Sequence, residues 1–322
     1  MKKAVLITGG AGFLGSHLCD HYIKHGCQVI CLDNLSSAPK HNIEHLLDHT
    51  DFVFIEHDVT MQIEIPQKVD SILHFASPAS PAIMKNNPVE TAKASTLGTY
   101  YALELARTSR AKFMLASSDA VYGDPEEHPQ KESCFGHVNP VGQRSCYDEA
   151  KRFAEAFTMA YHRQYRVNTA IARIFHSYGE RLFNDGRLIP VLIERALSGE
   201  PITILGDGCQ TRSFCYISDL IDGIARLSDS SIHSPVNLGN PREISVLDLA
   251  RLIIDLTGSS SRIEFRDALQ ADRRSRKPDI SLARSRLNWL PVVDLEEGLQ
   301  RTIDFMREHS RHSAVEGKGE DE

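Results

Sequence analysis

The stretch TGGAGFLGSH, Thr8 to His17, constrains this chain more than any other. It follows a short apolar run, Val5 to Thr8, and opens a helix-like run, Phe13 to Ile23. Glycines at such a turn, here Gly9, Gly12 and Gly15, let backbone approach a pyrophosphate, and the helix start, with Phe13 and Leu14, offers it unpaired amides and a partial positive charge. An acid, Asp33, ends the second predicted strand 18 residues after Gly15, with Asn34 beside it. A carboxylate there accepts hydrogen bonds from adenosine ribose hydroxyls and repels a 2′-phosphate, which predicts NAD rather than NADP.

Further runs rich in β-branched or apolar residues follow: Val29 to Asp33, Phe52 to Glu56, Ser71 to Phe75, Phe113 to Ser117 and Thr169 to Ile174. Stretches long enough for helices separate them, and repeated strand-then-helix order implies a parallel sheet covered on both faces. The expected fold is therefore α/β, a Rossmann-type doubly wound parallel sheet with a smaller C-terminal substrate-binding lobe. Residues 1–175 are assigned to the NAD-binding part, with a return segment near 215–240, residues 176–312 mainly to the second lobe, and 313–322 to a disordered tail. In the second lobe a helix is expected over Leu188 to Leu197, a strand over Ile202 to Leu205, and a helix over Ile217 to Leu227 capped by Ser218 or Asp219.

At 322 residues the chain has room for two lobes, and its 41% hydrophobic and 25% charged content is that of a soluble globular protein. No apolar run approaches a membrane span, and the N-terminus reads as a first strand rather than a secretory leader. Seven scattered cysteines without a C-x-x-C pair suggest free thiols in a reducing cytoplasm. A net charge of −7 argues against nucleic acid as partner, the basic run at Asp272 to Asp279 being the local exception, either a solvated loop or an anion site. The 15 histidines show no metal-ligand spacing, so no metal is expected.

Two segments at predicted strand ends suit a dinucleotide lying across them. His57 to Val59 offers Asp58 and Val59 to the adenine side, and HFASPAS offers the small or flat residues Phe75, Ala76 and Ser77, with Pro78 and Ser80 following. The reactive group is Ser118 with Asp119 at the end of the fifth predicted strand, and Tyr147 with Lys151 at i and i+4 on one helix face. A phenol titrates near pH 10. A nearby ammonium and a nicotinamide cation are expected to lower that value, so that Tyr147 takes a hydroxyl proton as hydride leaves the same carbon, while Ser118 holds that hydroxyl.

These residues resemble the extended short-chain dehydrogenase/reductases that act on nucleotide sugars, and the chain is most similar among them to the UDP-glucuronate decarboxylases. HFASPASP, YGDPEEHPQKES, GHVNPVGQRSCYDEAKR, ARIFHSYGERLFNDGR, GDGCQTRSFCYISDL and RKPDIS carry the likeness, from Lys3 to about Met306. The resemblance implies bound NAD, a UDP-sugar substrate, oxidation at sugar C4, loss of carbon dioxide from the 4-keto acid, and reduction to UDP-xylose. It assigns Pro78, Ser80, His176, Arg187, Arg212, Tyr216 and Arg276 to the substrate and sets Tyr147 and Lys151 against the cofactor as well, and it implies a homodimer packed through Val89 to Ala106 and the Tyr147 helix.

Departures from that group lie around the sugar. Ala120 stands where the decarboxylases carry Glu, Ser118 where Thr is usual, His176 and Ser95 where Asn is usual, and Met84 where an aromatic is usual. They leave a UDP-sugar 4-epimerase as the alternative, with a 4,6-dehydratase or a non-catalytic NAD-binding regulator behind it.

Overall fold

The structure is a computed structural model that describes residues 2–183, 185–267 and 276–316, with backbone alone from 310 onward. Strand and helix alternate through β1 (Ala4–Thr8), α1 (Phe13–Lys24), β2 (Gln28–Asp33), β3 (Phe52–Glu56), β4 (Ser71–His74), α2 (Pro81–Asn86), α3 (Pro88–Ser109), β5 (Lys112–Ser118), α4 (Ser145–Tyr165) and β6 (Thr169–Ile174). Shorter elements follow: β7 (Ser177–Tyr178), α5 (Leu188–Ser198), β8 (Ile202–Leu205), β9 (Thr211–Ser213), β10 (Cys215–Tyr216) and α6 (Ile217–Asp229). The chain continues through β11 (Pro235–Leu238), β12 (Glu243–Ser245), α7 (Val246–Thr257), β13 (Ile263–Arg266), α8 (Ser281–Leu287) and α9 (Leu295–Glu316).

Seven parallel strands make the main sheet in the order β11, β6, β5, β4, β1, β2, β3. β1, β4 and β6 are buried at every position, as strands of a parallel sheet covered by helices on both faces are. β3, at the edge, leaves Val53 39% exposed. Helices α1 and α6 pack together, as do α3 and α4. The chain winds outward from β1 to β3 and then restarts at β4 on β1's other side, so the β1/β4 boundary is the switch point at which such sheets open a ligand crevice beyond their carboxyl ends.

The second lobe is built from small two-stranded pairings, β10 with β7, β12 with β9 and β13 with β8, together with α5, α7 and α9. One apolar core runs from Val5 and Ile7 of the main sheet to Ile193, Leu249 and Ile303 of this lobe. β11 pairs with β6 and completes the main sheet after the chain has built part of the second lobe.

Two expectations need correction. The helix expected to be capped by Ser218 or Asp219 starts at Ile217 and has no side-chain cap, because both residues lie inside its first turn. Asp219 instead accepts hydrogen bonds from the amides of Val292 and Val293, both at 2.9 Å. The disordered tail expected from Ser313 is helical as far as Glu316, since extending an already formed helix costs far less than starting one. Of the basic run, residues 272–275 lie outside the described residues; Arg276 is buried, and Lys277 pairs with Glu243 at 3.2 Å.

Candidate active site

The turn after β1 is tight because its glycines leave no room for side chains. Gly9 has φ +71°, and a Cβ there would sit 2.7 Å from the Ala76 amide nitrogen. Gly12 is the N-cap of α1, no side chain caps that helix, and its first turn carries no acid. The free amides of a helix start beside a backbone stripped of Cβ atoms are what a pyrophosphate needs, so the loop fits the phosphates of NAD. Phe13 and Leu14 begin the helix and pack into the core behind the loop.

Asp33 is 8% exposed, and burial raises its pKa against the pull of its backbone hydrogen bonds. One oxygen accepts from the Ala11 amide at 3.0 Å and the other from the Leu35 amide at 2.9 Å, so the acid braces the glycine turn. Asn34 donates to Asp58 at 3.2 Å and joins the ends of β2 and β3. Burial pushes the Asp58 carboxyl up, but hydrogen bonds from Thr60 and Asn34 outweigh it and hold the carboxyl below its ordinary value. Val59 packs against Gly98 of α3, where a Cβ would come within 2.9 Å of it.

Beyond β4, Phe75 donates its amide to the Thr8 carbonyl at 3.0 Å, and the Ala76 amide reaches the Thr8 hydroxyl at 3.3 Å. Ser77 and Ser95 share a hydrogen bond at 2.7 Å, so Ser95 holds the loop where a larger amide was expected. Pro78 is half-buried, and Ser80 caps α2 while donating to the Asp185 carbonyl at 2.6 Å. The sequence did not point to Asn42, whose side chain donates to the Ala11 carbonyl at 2.9 Å; it lies in a short 3-10 segment with no periodic signal.

Ser118 ends β5, donates to an Asp119 carboxylate oxygen at 3.0 Å and accepts from the Ala120 amide at 3.2 Å. Tyr147 and Lys151 are both buried on α4; the ammonium lies 5.5 Å from the centre of the phenol ring and donates to the Ala116 carbonyl at 2.8 Å. The expected acidification of the phenol does not hold in the protein alone. Burial pushes Tyr147 up to about 12, against a hydrogen bond from Ser118, and burial brings Lys151 down to about 8. Desolvation disfavours both charged forms and is the largest cause of each shift. Met84 and Ala120 pack with Tyr147 in one apolar cluster, which puts methionine and alanine carbon beside the phenol ring.

Arg276 reaches back to the same turn, donating to the Asp119 carbonyl at 2.6 Å and lying 3.6 Å from its carboxylate. His176, two residues past β6, has a buried Nδ1 without a partner; burial lowers its pKa, Asp119 opposes this, and Arg212, Arg144 and Arg187 add to it. Arg187 is clasped by Asp185, with its guanidinium 5.8 Å from the Phe13 ring, and Arg212 lies on β9 with a hydrogen bond to the Thr211 carbonyl at 2.8 Å. Tyr216 stands apart from this group: it is 2% exposed, packs on Tyr178 with ring centroids 5.5 Å apart, and donates to Glu180 at 2.5 Å. Its size and burial make it a core residue. No cluster of three metal-ligating side chains occurs among the described residues.

The arrangement brings a hydroxyl, a phenol and an ammonium together near the carboxyl ends of the sheet strands, with Arg276 held at the same turn. The chain is 49% identical over 314 residues to UDP-glucuronic acid decarboxylase 1 of Xenopus tropicalis, covering 97% of this chain and 74% of that one. It is 46% identical over 319 residues to UDP-glucuronic acid decarboxylase 1 of Arabidopsis thaliana, covering 99% and 73%. Among solved structures, UDP-glucose 4-epimerase of Thermotoga maritima with UDP-glucose superposes with TM-score 0.88 at 28% identity over 95% of this chain and 99% of that one. UDP-glucuronic acid 4-epimerase of Bacillus cereus, in complex with UDP-glucuronic acid and NAD, gives 0.86 at 27% identity with the same coverage. The sequence profile of the NAD dependent epimerase/dehydratase family matches residues 5–239, and the chain belongs to that family.

Proposed function

We propose that this protein decarboxylates UDP-glucuronate to UDP-xylose through a 4-keto sugar, with Ser118, Tyr147 and Lys151 as its catalytic residues. The observation that carries this reading is the meeting of a buried Tyr147 and Lys151 with Arg276, a buried cation held at the Ser118–Asp119 turn. Bound NAD supplies reversible hydride acceptance at sugar C4. Tyr147 takes the C4 hydroxyl proton, and Ser118 holds that oxygen. The resulting ketone is β to the carboxylate, so carbon dioxide leaves and its electron pair enters an enolate whose oxygen Ser118 and Tyr147 stabilise. Protonation at C5, return of hydride to C4 and of the Tyr147 proton to O4 complete a cycle whose net consumption is one proton. Arg187, Arg212 and Arg276 supply the positive charge that a diphosphate and a carboxylate require.

The apolar pair Met84 and Ala120 favours a second reading, a UDP-sugar 4-epimerase, which needs no acid beyond the phenol. Purified protein given UDP-glucuronate and NAD should release carbon dioxide and form a UDP-pentose. A UDP-galacturonate product with no carbon dioxide would establish the epimerase, and unchanged UDP-glucuronate would remove both readings for this substrate.

Among the described residues no helix is long and apolar enough to cross a membrane, and all seven cysteines are unpaired, which suits a reducing cytoplasm. A homodimer through α3 and α4 is supported by apolar groups left at their surface, Val89 at 61%, Tyr100 at 40% and Phe153 at 45% exposure. A sedimentation mass of one chain at micromolar concentration would remove the dimer.

A further inference from the structure

Glu155 stands one turn beyond Lys151 on α4, and the chemistry above leaves it without a task. Its carboxylate is buried, 9% exposed, at a spacing that puts it on the lysine's face of the helix. The Lys151 ammonium donates to the Ala116 carbonyl at 2.8 Å, and Glu155 accepts from the Ser117 hydroxyl at 2.5 Å. Consecutive residues of β5 thus receive the two side chains, which reach from one face of α4 to the strand that ends in Ser118. Arg173 of β6 fixes the acid from its far side, donating to one oxygen at 2.9 Å and to the other at 2.8 Å. Arg173 is itself held by the Tyr122 hydroxyl and the Glu132 carbonyl, each at 3.0 Å. A carboxylate gripped on both oxygens stays beside the lysine.

We propose that Glu155 is a positioning residue that biases the shared proton of the Tyr147–Lys151 pair toward the lysine, so that more of the protein carries the phenolate that acts as the base. Removing one proton from a phenol beside an ammonium gives either phenolate with ammonium or phenol with amine. Both carry the same number of protons, so changing the pH cannot convert one into the other. Only the first accepts the sugar's proton. Burial favours the second, raising the phenol and lowering the ammonium, and with all neighbours in place the two stand at about 12 and about 8. Glu155 is the charged neighbour that works against this on the lysine.

The other charged groups around the pair do not replace it. Asp119 and Asp148 hold the phenol up and Arg144 lowers it. His74, facing Lys151 from β4, is kept neutral by burial and by the lysine, which bring it to about 3. Arg173 attenuates the acid from behind, and Glu132 in turn lies near Arg173. The inference rests on Tyr147 being the base of the proposed reaction.

The test is a nuclear magnetic resonance titration of the protein with isotope-labelled lysine, in which the Lys151 signal is the one absent from Lys151→Arg. In Glu155→Gln, Lys151 should titrate about one pH unit lower, a tenfold change in its dissociation constant. Substrate oxidation should show a lower plateau, by about tenfold, with its acidic limb moved to lower pH. In a Lys151→Arg background the guanidinium keeps its charge, and adding Glu155→Gln should change the plateau by less than about twofold.

A folded Glu155→Gln protein, judged by its unfolding midpoint, whose Lys151 titrates as in the parent would overturn the proposal. Glu155→Asp, which withdraws the charge by one methylene, should move the titration the same way by a smaller step; no movement in it overturns the proposal as well, whether or not Glu155→Gln folds. Oxidation that survives Tyr147→Phe would sink the underlying reading instead, whatever Lys151 does.

Discussion

Tyr147→Phe should lower turnover of UDP-glucuronate by about 10²–10⁴-fold, the range supplied by a positioned acid or base. The phenyl ring retains the packing against Met84 and Ala120, so the change removes one oxygen from a site that is 7% exposed and leaves its walls in place. Carbon dioxide release and sugar oxidation should fall together, because loss of the C4 hydroxyl proton precedes both. NAD affinity should stay within about threefold, as no contact of the glycine turn is touched. Turnover at the parental rate would show that another group is the base, and a non-catalytic sensor would keep its ligand affinity with no turnover to lose.

Gly15→Ala should have the second large effect, on cofactor binding. A Cβ at this position would lie 2.0 Å from the Gly9 carbonyl oxygen and 2.7 Å from the Gly10 Cα. Overpacking a well-filled site costs about 1–3 kcal/mol when side chains can yield. Backbone yields less, so the upper end applies, and NAD should bind about 100-fold more weakly. Isothermal titration with NAD reads this directly, and parental affinity would mean that the turn opens without cost. Gly12→Ala is the gentler comparison, since its Cβ would meet the same oxygen at 3.1 Å.

The glycine turn and the reactive trio could be read before any coordinates because each is local. A strand, a Cβ-free turn and a helix start are neighbours in sequence, and Tyr147 and Lys151 are one helical turn apart. What escaped the reading depends on distant partners. Asn42 reaches Ala11 across 31 positions, and Glu155 meets Ser117 across 38. Tyr216 read equally as a neighbour of the uracil or ribose and as a core residue; it packs on Tyr178 and donates to Glu180 in the interior. Sequence shows the charge beside the phenol and hides the depth of burial, which in the protein without its dinucleotide raises Tyr147.

The order in which the main sheet is completed bears on how such a protein can change. Its outermost strand, Pro235–Leu238, is added only after β7 through α6 have been traversed, and that strand shields Thr169–Ile174 from becoming an edge. Neither lobe is therefore a detachable cassette: severing the chain near residue 175 would strip the nucleotide-binding half of a structural strand. New sugar preferences are more readily acquired by rewriting the excursions between strands than by exchanging whole halves.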